Sequence, residues 1–340
     1  MGDACGIGPE IVAKLWRSTH AAGCFVVGDI GVMRRAVALT GGGLAVARIA
    51  SAADAFAAPA ACVPVLQVDA LASDLIDAPI GQVDARAGQA AAACIEAAVR
   101  LALSGAVGAI VTAPIHKEAL AAAGVPYPGH TEMLQALAAR TAPGVPPQVR
   151  MMLANDQLRV VLVTIHLSLR KAIDAVTYDA VLETIRIAHR SAPCWGQSQP
   201  RIAVAGLNPH AGEGGLFGDE EQRIIAPAIA AARAQGIDAQ GPFAPDTVFM
   251  RARNALAAAG AAPGSGHPGE FDVVVAMTHD HGLIPVKYLG VADGVNVTLG
   301  LPFVRASPDH GTAFDIAGTG TADPSSLLAA LRLVRQWVSA

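Results

Sequence analysis

The sequence predicts an α/β protein with largely parallel sheets flanked by helices, and three observations predict it. Apolar, β-rich runs alternate with amphipathic helical runs through most of the 340 residues. Aromatic residues make up only 4% against 53% hydrophobic residues, an alanine-rich balance that favours helices packed on sheets over an aromatic-rich sandwich. Three histidines, His166 in VTIHLSLR, His210 in GLNPHAGEGG and His279 in MTHDHGLIPVK, each follow such a run (LRVVLVT, RIAVAGL, FDVVVAM). That places each past the carboxyl end of a strand, where open α/β sheets bind ligands.

Strands are expected at Cys24–Gly28, Val63–Val68, Ala106–Thr112, Val149–Leu153, Leu158–Thr164, Ile202–Gly206, Val273–Met277 and Val295–Leu299, each a short apolar run rich in β-branched residues. Helices are expected at Pro9–Ser18, Val32–Leu39, Arg86–Leu103, Lys117–Ala123, Glu132–Ala139, Tyr178–Ser191, Glu220–Gln235, Thr247–Ala259 and Ser325–Val338. Breaks fall at Val125–Gly129, Ala142–Pro147 and Ala261–Gly269, and the first is the expected boundary between two lobes. No repeat of fixed period is visible, which sets solenoids and propellers aside.

A net charge of −4 without a basic block excludes the electrostatic footprint of a nucleic-acid binder. Mean hydropathy is +0.43, yet the most apolar long stretch between charges, Leu101–His116, holds glycines and a proline and is too short to span a bilayer. Five cysteines without C-x-x-C spacing, and no signal-like N-terminus, fit reduced thiols in a cytoplasmic protein.

Three neutral imidazoles at one sheet edge would make a metal site that keeps an open position for substrate. The opening GDACGIGPE reads as a glycine turn feeding a helix with Pro9 at its first position, a place able to cradle an anion or simply to turn the chain. Such a turn usually follows a strand; here only Met1 precedes it, and a late start is expected. TAPIHKEAL places His116 and Lys117 just past a strand, and His130 and Thr131 open a helix, with Thr131 suited to cap it. The stretch His279–Gly318 gathers Asp280, His281, Lys287, Asn296, Arg305, Asp309 and His310 among glycines and prolines, a variety an ordinary surface loop has little need of. Lys287 and Arg305 suit a phosphate or carboxylate, and Asp280 suits a base or a histidine-orienting group. Neither a dinucleotide fingerprint nor a P-loop is present.

In that order, GDACGIGPE, TAPIHKEAL, GHTEML, the His166 segment, GLNPHAGEGG, PDTVF and the His279–Gly318 segment resemble the 4-hydroxythreonine-4-phosphate dehydrogenase family of pyridoxal phosphate biosynthesis, from Gly2 to the C-terminal helix. HGTAFDIAGTGTADP is also similar to the adenine-side loop of isopropylmalate dehydrogenases. The resemblance implies a two-lobed isopropylmalate-dehydrogenase-like fold, with residues 1–124 and 312–340 in one lobe and 125–311 in the other. It implies a homodimer with its active site in the interlobe cleft near the subunit interface, NAD or NADP as cofactor, and one divalent metal (Zn, Mg or Co) per site. On matching positions His166, His210 and His279 become metal ligands; His130, Thr131, Lys287, Asn296 and Arg305 substrate contacts; Asp246 an acidic site residue; and His310, Gly311 and Thr312 cofactor contacts. Two departures stand out: Ala4 occupies a position where the family usually has proline, and His281 one where glutamine is common.

The implied reaction oxidises the secondary hydroxyl of 4-phosphohydroxy-L-threonine. The metal acidifies the hydroxyl, Lys287 or Asp280 takes the proton and the nicotinamide takes the hydride. The product, 2-amino-3-oxo-4-phosphooxybutanoate, decarboxylates to 3-amino-2-oxopropyl phosphate. A sister dehydrogenase acting on a phosphorylated sugar acid (4-phosphothreonate or erythronate) or a cis-dihydrodiol carboxylate would share the metal and cofactor motifs. A metal-dependent hydrolase could use the three histidines but has no need of the HGTAFDIAG loop.

Overall fold

Leu153, Val160, Val161, Ile202, Ala203, Val204, Val273, Val274 and Val275 have no exposed surface, as expected of strands covered on both faces by helices. The computed structural model describes residues 1–139, 146–253, 269–290 and 293–338. The chain divides into two units, one of Met1–Pro147 with Leu301–Val338 and one spanning Gln148–Gly300.

In the first unit, β1 (Val26–Gly28), β3 (Cys62–Gln67) and β2 (Ala45–Ile49) form a parallel sheet in that order. A second parallel pair joins β4 (Ala109–Val111) to β11 (Val304–Pro308). Around them lie α1 (Gly8–Leu15), α2 (Ile30–Leu39), α3 (Ala85–Leu103), α4 (Lys117–Ala122), α5 (His130–Ala139) and α11 (Ser325–Val338). One core joins Ile11, Leu15, Met33, Val63, Val65, Leu327 and Leu331; another joins Ile95, Val99, Ile110, Met133, Leu134 and Phe303.

In the second unit, six strands run in the order β10 (Val295–Leu299), β5 (Arg150–Ala154), β6 (Arg159–Leu162), β9 (Val273–Ala276), β7 (Ile202–Ala205), β8 (Ala239–Phe243). The pairs β10–β5 and β5–β6 are antiparallel, whereas β6–β9, β9–β7 and β7–β8 are parallel. Helices α6 (Leu169–Ala175), α7 (Tyr178–Ser191), α8 (Ala226–Ala234), α9 (Val248–Ala252) and α10 (His279–Tyr288) complete it. Among the described residues no helix is long and apolar enough to cross a membrane.

Several expectations need correction. The expected lobe boundary near residue 125 falls inside the first unit, because Met133, Leu134 and Leu137 of α5 pack with Ile95 and Val99 of α3. The return lies at Leu301 rather than 312, because β11 pairs with β4. Besides the expected strand Val295–Leu299, which is β10, the stretch from His279 holds α10 and β11; Pro285 inside α10 and the glycines mask its helical period. The strands β2, β8 and β11 and helix α6 were missed; β2 and β8 are largely exposed or half-exposed and carry weak apolar patterns. The helix expected over Glu220–Gln235 opens as a wide π turn, Glu221–Ile225, before α8. The expected helix over Thr247–Ala259 is α9 to Ala252, and residues 254–259 lie outside the described residues.

Candidate active site

The three parallel strands β6, β9 and β7 are neighbours, so their carboxyl ends share one edge of the second unit. His166 follows β6, His279 follows β9 and His210 follows β7. Asp246 follows β8 at the same edge and is exposed. The His166 and His279 rings stand with centroids 5.7 Å apart, tilted by 46°. Two imidazoles on one tetrahedral ion, each with a metal–nitrogen bond of about 2.0–2.1 Å, would have centroids roughly 5 Å apart, so this pair fits a shared divalent ion. His210 instead lies against Phe217, with ring centroids 6.0 Å apart. Among the described residues no group of three His, Cys, Asp or Glu stands at ligating spacing. The structure therefore brings two of the expected ligands together and sets the third on the same edge without closing the triad.

Two of these histidines sit on strained backbone: His166 has φ 49° and His210 φ 52°, the left-handed region that L-residues seldom enter. Such strain persists only where surroundings over-determine it, and it concentrates at functional sites. His279 opens α10, and the helix lies tight on the sheet: a Cβ at Gly282 would run into Leu162 Cδ2. His279 Nδ1 is 2.8 Å from Asp280 Oδ1. His281, the departure from the family pattern, is half-buried with its Nδ1 lacking a hydrogen-bond partner, and burial lowers its pKa.

Lys287 and Asn296 stand elsewhere in this unit. Helix α10 runs back from the histidine edge, and Val286 carbonyl accepts from Asn155 Nδ2 at 3.3 Å, beside the β5–β6 turn. Asn296 pairs with Leu153, which pairs with Val160 near the start of β6. Eight residues of helix separate Lys287 from His279, about 12 Å of rise.

The first unit carries the remaining residues. Arg305, on β11, is buried and donates from Nη2 to Thr112 Oγ1 at 2.6 Å; burial lowers its pKa to about 10. Burial, and then the charge of Arg305, hold His130 well below its usual value, so it is neutral at pH 7. His130 Nε2 is buried without a hydrogen-bond partner. Thr131, expected as a cap, lies within the first turn because α5 begins at His130. A buried guanidinium next to a neutral imidazole with an unused nitrogen suits a bound anion.

The segment from His310 is held by the glycine turn. Ile7 N–H donates to Thr312 carbonyl at 3.0 Å, and a Cβ at Gly6 would lie 2.9 Å from Thr312 Cβ. Buried Glu10 accepts from Gly318 N–H at 2.5 Å and Gly320 N–H at 2.8 Å. The His116 ring stacks on Phe314 at 4.5 Å. His310 and Gly311 are exposed, with Thr312 buried. The amide at Ile7 is thus taken by protein, so the turn grips this loop where an anion cradle was one expectation. Met1 amine donates to Val27 carbonyl at 3.0 Å, within β1. Sequence reasoning missed Glu10, whose signal was its place in GDACGIGPE, and read His116 only as a residue past a strand.

Fold and residue groups together define an α/β enzyme of small-molecule metabolism. The structure is similar to 4-hydroxythreonine-4-phosphate dehydrogenase from Klebsiella pneumoniae, with a TM-score of 0.87, 44% identity, and 99% of this chain and 98% of that one covered. The sequence is 56% identical to a 4-hydroxythreonine-4-phosphate dehydrogenase of Beijerinckia indica, over 96% of this chain and 90% of the relative. It is 44% identical to a D-threonate 4-phosphate dehydrogenase of Pectobacterium atrosepticum, over 99% of this chain and 97% of the relative. The family model for pyridoxal phosphate biosynthetic protein PdxA matches residues 20–334, and the chain belongs to this family.

Proposed function

We propose that this chain is an NAD(P)-dependent, metal-requiring dehydrogenase that oxidises 4-phosphohydroxy-L-threonine in the cytoplasm, its product losing carbon dioxide to give 3-amino-2-oxopropyl phosphate. The observation that carries the reading is the row of His166, His279 and His210 along the carboxyl edge of three adjacent parallel strands. Family membership and the names of the relatives supply the substrate class.

His166, His279 and His210 would hold a divalent ion, which when bound supplies Lewis-acid stabilisation of negative charge on the substrate oxygen. Asp280 fixes the ring of His279, which removes it from the role of base. Asp246, a carboxylate at the histidine edge, takes the hydroxyl proton. Arg305 and His130 bind the phosphate or carboxylate, with Thr131 beside them at the start of α5, where helix N–H groups favour an anion. The loop His310–Thr312 receives the nicotinamide nucleotide on the scaffold of Ile7, Glu10 and His116.

Lys287 and Asn296 support a homodimer. A substrate with its hydroxyl at the histidine edge is too short to reach the ammonium group of Lys287, whose backbone lies about 12 Å along α10 in the same unit. A second copy facing this edge with its own Lys287 and Asn296 would complete the anion site.

The test is absorbance at the NADH band with 4-phosphohydroxy-L-threonine, NAD or NADP and Co²⁺, Zn²⁺ or Mg²⁺, repeated after chelation. Turnover that vanishes with chelator supports the reading; turnover indifferent to chelator defeats the metal role. D-threonate 4-phosphate is the second substrate to assay, since a relative of similar length and 44% identity bears that name. The two differ in an amino against a hydroxyl group at C2. A higher kcat/KM for the hydroxy acid would favour that reading.

A further inference from the structure

We infer that Glu221 is the positioning residue that fixes the left-handed turn carrying His210, and through it the affinity for a divalent ion, an inference that rests on the reading of His210 as a metal ligand.

From His210 to Gly214 every residue has positive φ: 52°, 53°, 80°, 42° and 65°. Three of them, His210, Ala211 and Glu213, carry side chains that make this conformation unfavourable. A turn of this kind needs bonds from outside itself to persist. Glu221 supplies them. It is 3% exposed. Its Oε1 accepts from the N–H groups of Leu207 at 2.7 Å and Asn208 at 2.8 Å, the two residues that lead into the turn. Its Oε2 accepts from Asn208 Nδ2 at 3.0 Å, and that amide also donates to Glu220 Oε2 at 2.7 Å. Burial pushes the carboxyl pKa up, but these donors outweigh it and hold the group below its usual value.

The carboxylate is wedged between the entry and the body of the turn. A Cβ at Gly212 would lie 2.7 Å from Oε2, and one at Gly206 would lie 3.0 Å from Oε1. Glu221 itself begins the π turn Glu221–Ile225, an irregularity that recurs where helices serve a function. The proposed reaction gives Glu221 no contact with substrate or nucleotide, so its bonds act through His210.

The experiment uses metal-free full-length protein titrated with Co²⁺, followed by the visible absorption of the bound ion, for the parent, H210A, E221Q and E221A. Glu221→Gln keeps an oxygen for Leu207 and Asn208 but turns an N–H₂ towards Asn208 Nδ2. Its Co²⁺ dissociation constant should rise about 10–100-fold, with the nucleotide KM unchanged and kcat restored at saturating metal. Glu221→Ala should bind still more weakly. Thermal unfolding of each variant identifies loss caused by a collapsed fold, and E221Q carries the decision if E221A does not fold. Co²⁺ affinity at the parent value in folded E221Q and E221A, with H210A weakened, would overturn the role of Glu221 alone. Parent affinity in H210A would remove the ligand assignment, and this inference with it.

Discussion

His279 Nδ1 donates to Asp280 Oδ1 across 2.8 Å, between consecutive residues at the start of α10. A carboxylate can only accept, so the bond sets the tautomer and leaves the lone pair on Nε2. D280A should weaken Co²⁺ binding about 10–100-fold. Thermal stability should stay at the parent value, because the Asp280 side chain is 80% exposed. Unchanged Co²⁺ affinity would show the bond to be idle.

Glu10 ties the glycine-turn helix to Gly318 and Gly320. Glu10→Ala removes both acceptors from a buried position, and hydrogen bonds to a charged group contribute about 1.5–3 kcal/mol each. The nucleotide KM should rise at least about tenfold, while Co²⁺ affinity holds. Steady-state kinetics with NAD and NADP, beside a cobalt titration, separates the two.

If a second copy supplies Lys287 and Asn296, co-expressed H210A and K287A chains should form mixed dimers with one intact site of two. Each variant alone should be inactive, and the mixture should recover roughly a quarter of parent turnover. Absence of recovery in a verified mixed dimer would place all these residues in one chain's site.

His130 gives a pH dependence with a defined sign. Its folded pKa lies well below the usual value of 6.5, first because of burial and then because of Arg305. As pH falls, the unfolded chain takes up this proton first. The contribution to stability is therefore intact above about 6.5 and is lost as pH drops from there through the folded value, each tenfold difference in proton affinity between the two states contributing about 1.4 kcal/mol. Melting temperatures of the parent and H130N between pH 7.5 and 5 should converge towards the acid end. Parallel curves would show that His130 does not titrate as its burial requires.

Much of the architecture was legible because strand and helix periods are local. The helix Tyr178–Ser191 and the strand Val295–Leu299 appear with the bounds their patterns predict. The edge on which His166, His210 and His279 lie was legible too, since each follows an apolar run and parallel strands point their ends one way. Helix α10 was not: Pro285 and Gly282 break its pattern, and its burial against Leu162 and Val160 compensates only in three dimensions.

By itself the sequence determined the fold class, the family and the residue types of the site, because these depend on short-range patterning and on motifs. Tertiary structure alone decided that β6, β9 and β7 are neighbours, which sets three histidines on one edge. It alone decided that Lys287 lies at the far end of α10 from His279, that Arg305 is buried on Thr112, that Glu10 clamps Gly318 and Gly320 and that Glu221 clamps the entry to the His210 turn. The physical reason is that a hydrogen bond or a desolvated charge belongs to a pair of positions in space, and the separation of that pair along the chain, 310 residues for Glu10 and Gly320, leaves no local pattern.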